Sequence, residues 1–182
     1  MNKLVIGFAG RAGSGKDTAA NILIQHDHFV PISFAKPLKE ICTLAFMLDV
    51  DAFTNREKKE KVDDRWGLSP REMCQKLGTD FFRKLDDEFW IKRARIQVHE
   101  STENCIFTDV RFPNEADFIR KELKGIVVFI DADKRLGCSE EDAIHPSEKC
   151  VYEIKKHHCD FIIENNGSMD EFIITIIDRF IL

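Results

Sequence analysis

An α/β fold, with a parallel sheet covered by helices on both faces, is what the sequence predicts, and three observations predict it. Short, almost wholly apolar runs alternate with longer amphipathic ones along the 182 residues. The apolar runs lack the in-and-out alternation of half-exposed strands, so they read as strands buried on both sides. The first run also passes directly into a glycine-rich bend and then a helical pattern, the order in which parallel sheets build phosphate sites.

Taken in order, residues 4–8 read as the first strand and residues 15 to about 25 as a helix, with Ala19, Ile22 and Leu23 inward. Residues 28–34 are a second strand and 36–48 a second helix. Residues 105–108, 126–130 and 161–163 are further strands, each followed by a helical segment. The last helix puts Phe172, Ile173, Ile176, Ile177, Phe180 and Ile181 on one side, the spacing of a packed face. Ser69-Pro70-Arg71-Glu72 is a capping box with proline at the first helical position, so a helix starts there. On it Arg71, Gln75 and Gly78 share one face, and Met73, Leu77 and Phe81 the opposite, apolar one. Residues 51–65 (DAFTNREKKEKVDDR) are charged and weakly periodic, and read as a mobile surface excursion.

Composition narrows the class. With 43% hydrophobic and 32% charged residues the chain suits one globular domain. A formal net charge of -5 argues against a nucleic-acid partner, which calls for a basic face. It leaves room for nucleotides, which backbone amides and a few cations can hold. Six cysteines contain no C-x-x-C pair, so zinc ligation is not expected and reduced thiols in a cytoplasmic setting are. The N-terminal apolar run has no cleavage signature, and no secretion is expected. Asp178 and Arg179 interrupt the most apolar late stretch, so no membrane span is expected there.

The chemistry concentrates in GRAGSGKDT, residues 10–18. Glycines at 10, 13 and 15 let the backbone of Arg11, Ala12, Gly13, Ser14 and Gly15 turn its N–H groups onto phosphate oxygens. The following helix adds its positive end, and Lys16 reaches the β- and γ-phosphates of ATP. Asp17 stands where Ser or Thr is usual. It is a magnesium ligand, with Thr18 as the alternative, or simply a favourable charge at a helix start. Asp109 closes a strand and is the second metal candidate. Arg111 follows at the carboxyl edge of the sheet, where ligands bind in open α/β folds, and suits a phosphate.

Beyond this core, Arg71 and Gln75 form a polar helix face fit for a nucleotide. Trp90 is either a base-stacking residue or a core tryptophan. Lys134 and Arg135 are candidates for a basic lid over the γ-phosphate. His145 and Glu148 are candidate acceptor contacts, although Ser147 and Glu148 equally suit a helix start. The turn at Asn165-Asn166-Gly167-Ser168 suits an adenine neighbour or ordinary turn chemistry.

The set GRAGSGKDT, FAKPLKE, SPREMCQKLGTDFFRK, DDEFW, DVRFPNEA, HPSE and ENNGS resembles the deoxynucleoside monophosphate kinases of phages and large DNA viruses, within the P-loop nucleotide kinase superfamily. The resemblance implies a three-layer αβα sandwich around a five-stranded parallel sheet with a small lid, and magnesium-ATP as donor to a deoxynucleoside monophosphate. It implies acceptor contacts at Lys36, Arg71, Gln75, Asp80, Trp90, Arg111 and Glu148, with Arg11 facing either nucleotide. Lys134 or Arg135 then belongs to the lid, and Asn166 and Gly167 to the adenine side. SGKDT is that family's own pattern, which accounts for Asp17. The whole chain, 1–182, is expected to be one kinase domain, with a helical acceptor region near 36–100 and a lid near 132–148. Many relatives are dimers, so the resemblance allows a homodimer, although the sequence itself does not fix the oligomeric state. Rival readings are a P-loop kinase of the dephospho-coenzyme A or phosphomevalonate type and a non-catalytic nucleotide-binding module. A GTPase is excluded by the absence of N-K-x-D.

Overall fold

A computed structural model describes residues 3–26, 28–137 and 146–181. The chain divides into two compact units, one of residues 1–32 and 94–182, the other of residues 33–93.

The first unit opens with β1 (Val5–Ala9), buried at every position, followed by α1 (Lys16–His26) and β2 (Phe29–Ile32). In the second unit come α2 (Lys36–Ala45), α3 (Arg56–Glu60), α4 (Pro70–Gln75), a π-helical stretch (Lys76–Phe82) and α5 (Arg83–Leu85). Then α6 (Phe89–Glu100) carries the chain back into the first unit. There β3 (Asn104–Val110) leads to α7 (Pro113–Asp117), continued as π-helix over Phe118–Glu122. After β4 (Ile126–Asp131) come α8 (Asp133–Leu136) and α9 (Pro146–Glu153), the latter also widening into π-helix over Ile154–His158. β5 (Phe161–Glu164) and α10 (Met169–Phe180) complete the unit.

The five strands pair in the order β2-β3-β1-β4-β5, and every pairing is parallel. Alternate residues of each strand face opposite layers. Ile6, Phe8, Ile106, Val128 and Ile130 pack with Ala19, Ala20 and Leu23 of α1 and with Phe172 and Ile176 of α10. On the other face Phe107 meets Phe118 edge-on, their centroids 6.4 Å apart. Phe8, Phe107, Phe129 and Phe172 are fully buried, and each such side chain contributes roughly 1.5–3 kcal/mol. The five-stranded parallel sheet with flanking helices is the α/β fold that the sequence predicts. No helix among the described residues is long and apolar enough to cross a membrane.

The differences have local causes. α2 ends at Ala45 rather than at 48 because Met47 takes a left-handed φ of 51°, which ends the helical ladder. Residues 51–65, read as an excursion, contain α3. Asn55 caps it by accepting the Glu57 and Lys58 N–H groups, and Lys58 bridges Asp49 and Asp51. Exposed pairs of this kind contribute about 0–1 kcal/mol each.

The capping box at Ser69 forms as the sequence predicts: Ser69 Oγ accepts the Glu72 N–H, and Glu72 accepts the Ser69 N–H at 2.8 Å. The two faces assigned beyond it do not persist. From Lys76 the hydrogen bonds close over five residues instead of four, which rotates the later side chains about the helix axis. Met73, ahead of that change, is buried as assigned, whereas Gly78 of the polar face is also buried and Phe81 of the apolar face is 57% exposed. Gly78 packs on Leu38, whose Cδ2 stands 2.4 Å from where a Cβ would lie, so its small size serves the core and not a ligand.

Candidate active site

The site candidates of the first unit lie where β1, β3, β4 and β5 end. Between β1 and α1 the bend of residues 10–18 has the conformation its glycines permit: φ is 141° at Gly10, 81° at Gly13 and 106° at Gly15. A Cβ at Gly10 would stand 2.5 Å from the Ile130 carbonyl, and one at Gly15 2.5 Å from Asn165 Nδ2. Glycine is therefore required twice over, for backbone conformation and for close approach. Within the bend the Ser14 N–H donates to the Arg11 carbonyl at 3.1 Å, and Lys16 Nζ donates to the same oxygen at 2.7 Å. Ser14 Oγ is buried and has no hydrogen-bond partner among the described residues. An orphaned hydroxyl inside a glycine-built concavity, beside a lysine and the first N–H groups of an 11-residue helix, is the donor arrangement that a polyphosphate fits.

Two side chains from later in the chain brace the bend. Asn165, directly after β5 and 6% exposed, donates from Nδ2 to the Ser14 carbonyl at 2.8 Å. In a trans peptide C=O and N–H point opposite ways, so this bond turns the Gly15 N–H away from Asn165. Arg135, on α8, donates from Nη2 to the Gly13 carbonyl at 2.8 Å and from Nε to the Asn165 carbonyl at 3.0 Å. Its own N–H donates to Asn166 Oδ1 at 3.2 Å. A pocket of about 130 Å³ is lined by Asn166 and Gly167 together with Glu171, Phe172 and Thr175.

The sequence singles out Asn166 and Gly167 and takes Asn165 only as part of their turn, where an asparagine before Asn-Gly suits turn chemistry. Its burial is the signal that separates it from Asn166. Asn165→Ala is expected to leave the Ser14 carbonyl unpaired, at a cost of about 1–3 kcal/mol, and to raise the KM for ATP roughly tenfold. Thermal melting and ATP-dependent kinetics check the two parts. An unchanged KM would reduce Asn165 to a core residue.

Asp109 lies on β3, next to β1, at an irregularity. Gly7 pairs with Phe107 but Ala9 with Val110, so β3 carries one extra residue across Thr108 and Asp109. Such bulges re-aim side chains at strand ends. Beyond it, buried Glu115 accepts the N–H groups of Arg111 at 2.8 Å and Phe112 at 3.1 Å, which fixes the turn that holds Arg111 at the sheet edge. Asp17 is exposed in the first turn of α1, with Thr18 half-buried next to it. Behind α8, Lys155 Nζ pairs with Asp131 at 2.7 Å and Asp133 at 3.3 Å. Burial opposes ionisation of Asp131, but Lys155 and the Asp133 N–H outweigh it and hold that carboxyl below its usual range.

Glu148 is half-buried in the first turn of α9 and Lys134 is exposed on α8, while His145 lies outside the described residues. The other candidates belong to the unit of residues 33–93. There Arg71 pairs with Glu60 at 3.2 Å, Gln75 is half-buried, and Lys36 and Asp80 are exposed. Trp90 is corrected. It is 4% exposed, packs edge-on against Phe82 and Phe89, and donates its indole N–H to the Gly78 carbonyl at 3.3 Å. In this conformation both faces are committed to the core, so it offers no surface for a base.

The model of the family described as deoxynucleotide monophosphate kinase matches residues 47–176. A putative deoxynucleotide monophosphate kinase of Acanthamoeba polyphaga mimivirus is 40% identical, over 96% of this chain and 94% of its own. The deoxynucleoside-5'-monophosphate kinase of Escherichia phage T5 is 24% identical, over 81% of this chain and 85% of its own. Among solved structures, the shikimate kinase of Aquifex aeolicus superposes with a TM-score of 0.53 over 96% of this chain and 94% of its own. At 17% identity that likeness is one of fold.

Proposed function

Since the chain belongs to the deoxynucleotide monophosphate kinase family, we propose that it transfers the γ-phosphate of ATP to a deoxynucleoside monophosphate, giving the diphosphate and ADP. The observation that carries the reading is the bend of residues 10–18, whose glycine conformations, orphaned Ser14 hydroxyl and Lys16 suit a polyphosphate.

An oxygen of the acceptor phosphate attacks the γ-phosphorus in line. The new O–P bond forms as the bond to the β-phosphate oxygen breaks, and that oxygen leaves with ADP. The acceptor phosphate is already ionised, so no general base is needed, and the residues supply position and positive charge. The N–H groups of residues 12–18 hold the β- and γ-phosphates. Lys16 exchanges the Arg11 carbonyl for a phosphate oxygen. Arg111 and Arg135 share the charge that develops, with Lys134 in reserve at the lid. Arg11 faces one of the two nucleotides, and Asn166 and Gly167 belong to the adenine side. Asp17 and Asp109, with Thr18 as a hydroxyl alternative, would hold magnesium, which needs only one or two carboxylates beside the phosphates. When bound, it would neutralise negative charge on the transferring phosphate. Residues 33–93 form the acceptor region, where Arg71 and Lys36 suit the phosphate and Gln75 and Asp80 the nucleoside. Glu148 and Arg111, in the first unit, remain acceptor candidates on the resemblance of HPSE and DVRFPNEA.

A coupled ADP-release assay across the deoxy- and ribonucleoside monophosphates, with dephospho-coenzyme A and phosphomevalonate as further acceptors, tests the proposal. At least one deoxynucleoside monophosphate is expected to drive ADP release far above the ATP-only background, and excess chelator to abolish it until magnesium is restored. Release driven only by the other acceptors, or by none, would refute it.

A further inference from the structure

We infer that Tyr152 is a positioning residue that locks the phosphate-binding bend to the α8 segment and so sets the affinity for the phosphate donor. The inference deepens the reading above, on which it rests, that residues 10–18 receive ATP. Tyr152 lies on α9 and is 3% exposed. Its hydroxyl accepts from Arg11 Nη1 at 3.0 Å and donates to Asp133 Oδ1 at 3.2 Å. The Arg11 guanidinium also stands 5.8 Å from the centre of the Tyr152 ring.

These bonds belong to a closed circuit. It leaves the bend through the Arg11 side chain, passes through the Tyr152 hydroxyl to Asp133 at the head of α8, and follows α8 to Arg135. Arg135 returns to the bend at the Gly13 carbonyl, 2.8 Å away. Two residues apart in the bend, Arg11 and Gly13 are thus held by two different elements, α9 and α8. Between them the Arg11 carbonyl receives both Ser14 N–H and Lys16 Nζ, so the placement of Arg11 decides where the lysine rests. The hydroxyl is suited to the junction because it accepts and donates at once, which no aliphatic or purely acceptor group does. Burial, ahead of the opposing Arg11 contact, pushes the phenol above its ordinary range, so the proton given to Asp133 stays in place. Lys155, 3.3 Å from Asp133 Oδ2, balances the charge at that corner.

Tyr152→Phe removes the junction and keeps the ring. The KM for ATP, and the dissociation constant for ATP measured by titration, are expected to rise about threefold to tenfold, the worth of one or two lost hydrogen bonds. The KM for the deoxynucleoside monophosphate is expected to stay unchanged. In an Arg11→Leu background the same substitution is expected to add nothing, because the circuit is already open. Asp133→Asn, which weakens the other arm, is expected to shift the same donor constants in the same direction and serves if Tyr152→Phe folds poorly. Unchanged ATP constants in both variants, an equal rise for donor and acceptor, or additive losses in the Arg11 background would each overturn the inference. A wild-type protein that binds no ATP would instead remove the reading of the bend, and the inference with it; the wild-type titration separates the two failures.

Discussion

Lys16→Ala is expected to leave the fold intact and to lower turnover by about a hundredfold to a thousandfold, the scale of losing one preorganised charge at a transferring phosphoryl group. The fold tolerates the change because the Arg11 carbonyl keeps its bond from the Ser14 N–H. The sheet core that flanks the bend does not depend on the ammonium. Chemistry suffers more than binding, since negative charge shifts between the β- and γ-oxygens as the bond breaks and a fixed ammonium counts most there. A coupled assay for kcat, with a melting curve to verify folding, checks this. Turnover within about threefold of the parent would take Lys16 out of the reaction.

Gly10→Ala is expected to abolish measurable ATP binding and also to lower stability. The added carbon would meet the Ile130 carbonyl at 2.5 Å and Ser14 Oγ at 2.8 Å. Ser14 can rotate, but Ile130 is held in the β4 pairing with β5 and cannot swing aside. The backbone is also at a φ of 141°, a region that costs other residues about 1–3 kcal/mol. Relief of the clash moves the bend away from β4 and with it the N–H groups proposed to hold the phosphates. In a chain of this length about 2–3 kcal/mol corresponds to a fall in Tm of roughly 4–12 °C. Gly13→Ala is the internal control. Its nearest neighbour, Leu136 Cδ2, would be 3.5 Å away, so only the strain of φ 81° is expected there. Equal ATP affinities for the parent and Gly10→Ala would show that the bend does not need its observed shape.

Much of this architecture was readable from residue order because the strands and the bend are local. The apolar runs at β1, β3, β4 and β5, the glycine spacing, the capping box at Ser69 and the carboxylate near the end of β3 each depend on neighbours in sequence. What was not readable depends on distant partners. Asn165 looks like a turn asparagine until Ser14, 151 residues earlier, is found at its amide. Tyr152 carries no motif, and its importance lies in Arg11 and Asp133. Trp90 was ambiguous because an indole suits a base or a core equally, and only its contacts decide. The faces assigned after Arg71 failed for another reason. Periodicity assumes a constant turn, and the wide turns from Lys76 break that assumption.

The braces on the bend also have a direction in time. Ribosomes make residues 10–18 first, yet Arg135 follows Gly13 by 122 residues, Tyr152 follows Arg11 by 141 and Asn165 follows Ser14 by 151. At about 5–20 residues per second the nascent loop waits on the order of 8–30 s for its last support. During that interval the loop stands without these three braces, so the grip on ATP proposed for it is complete only once Asn165 has been made.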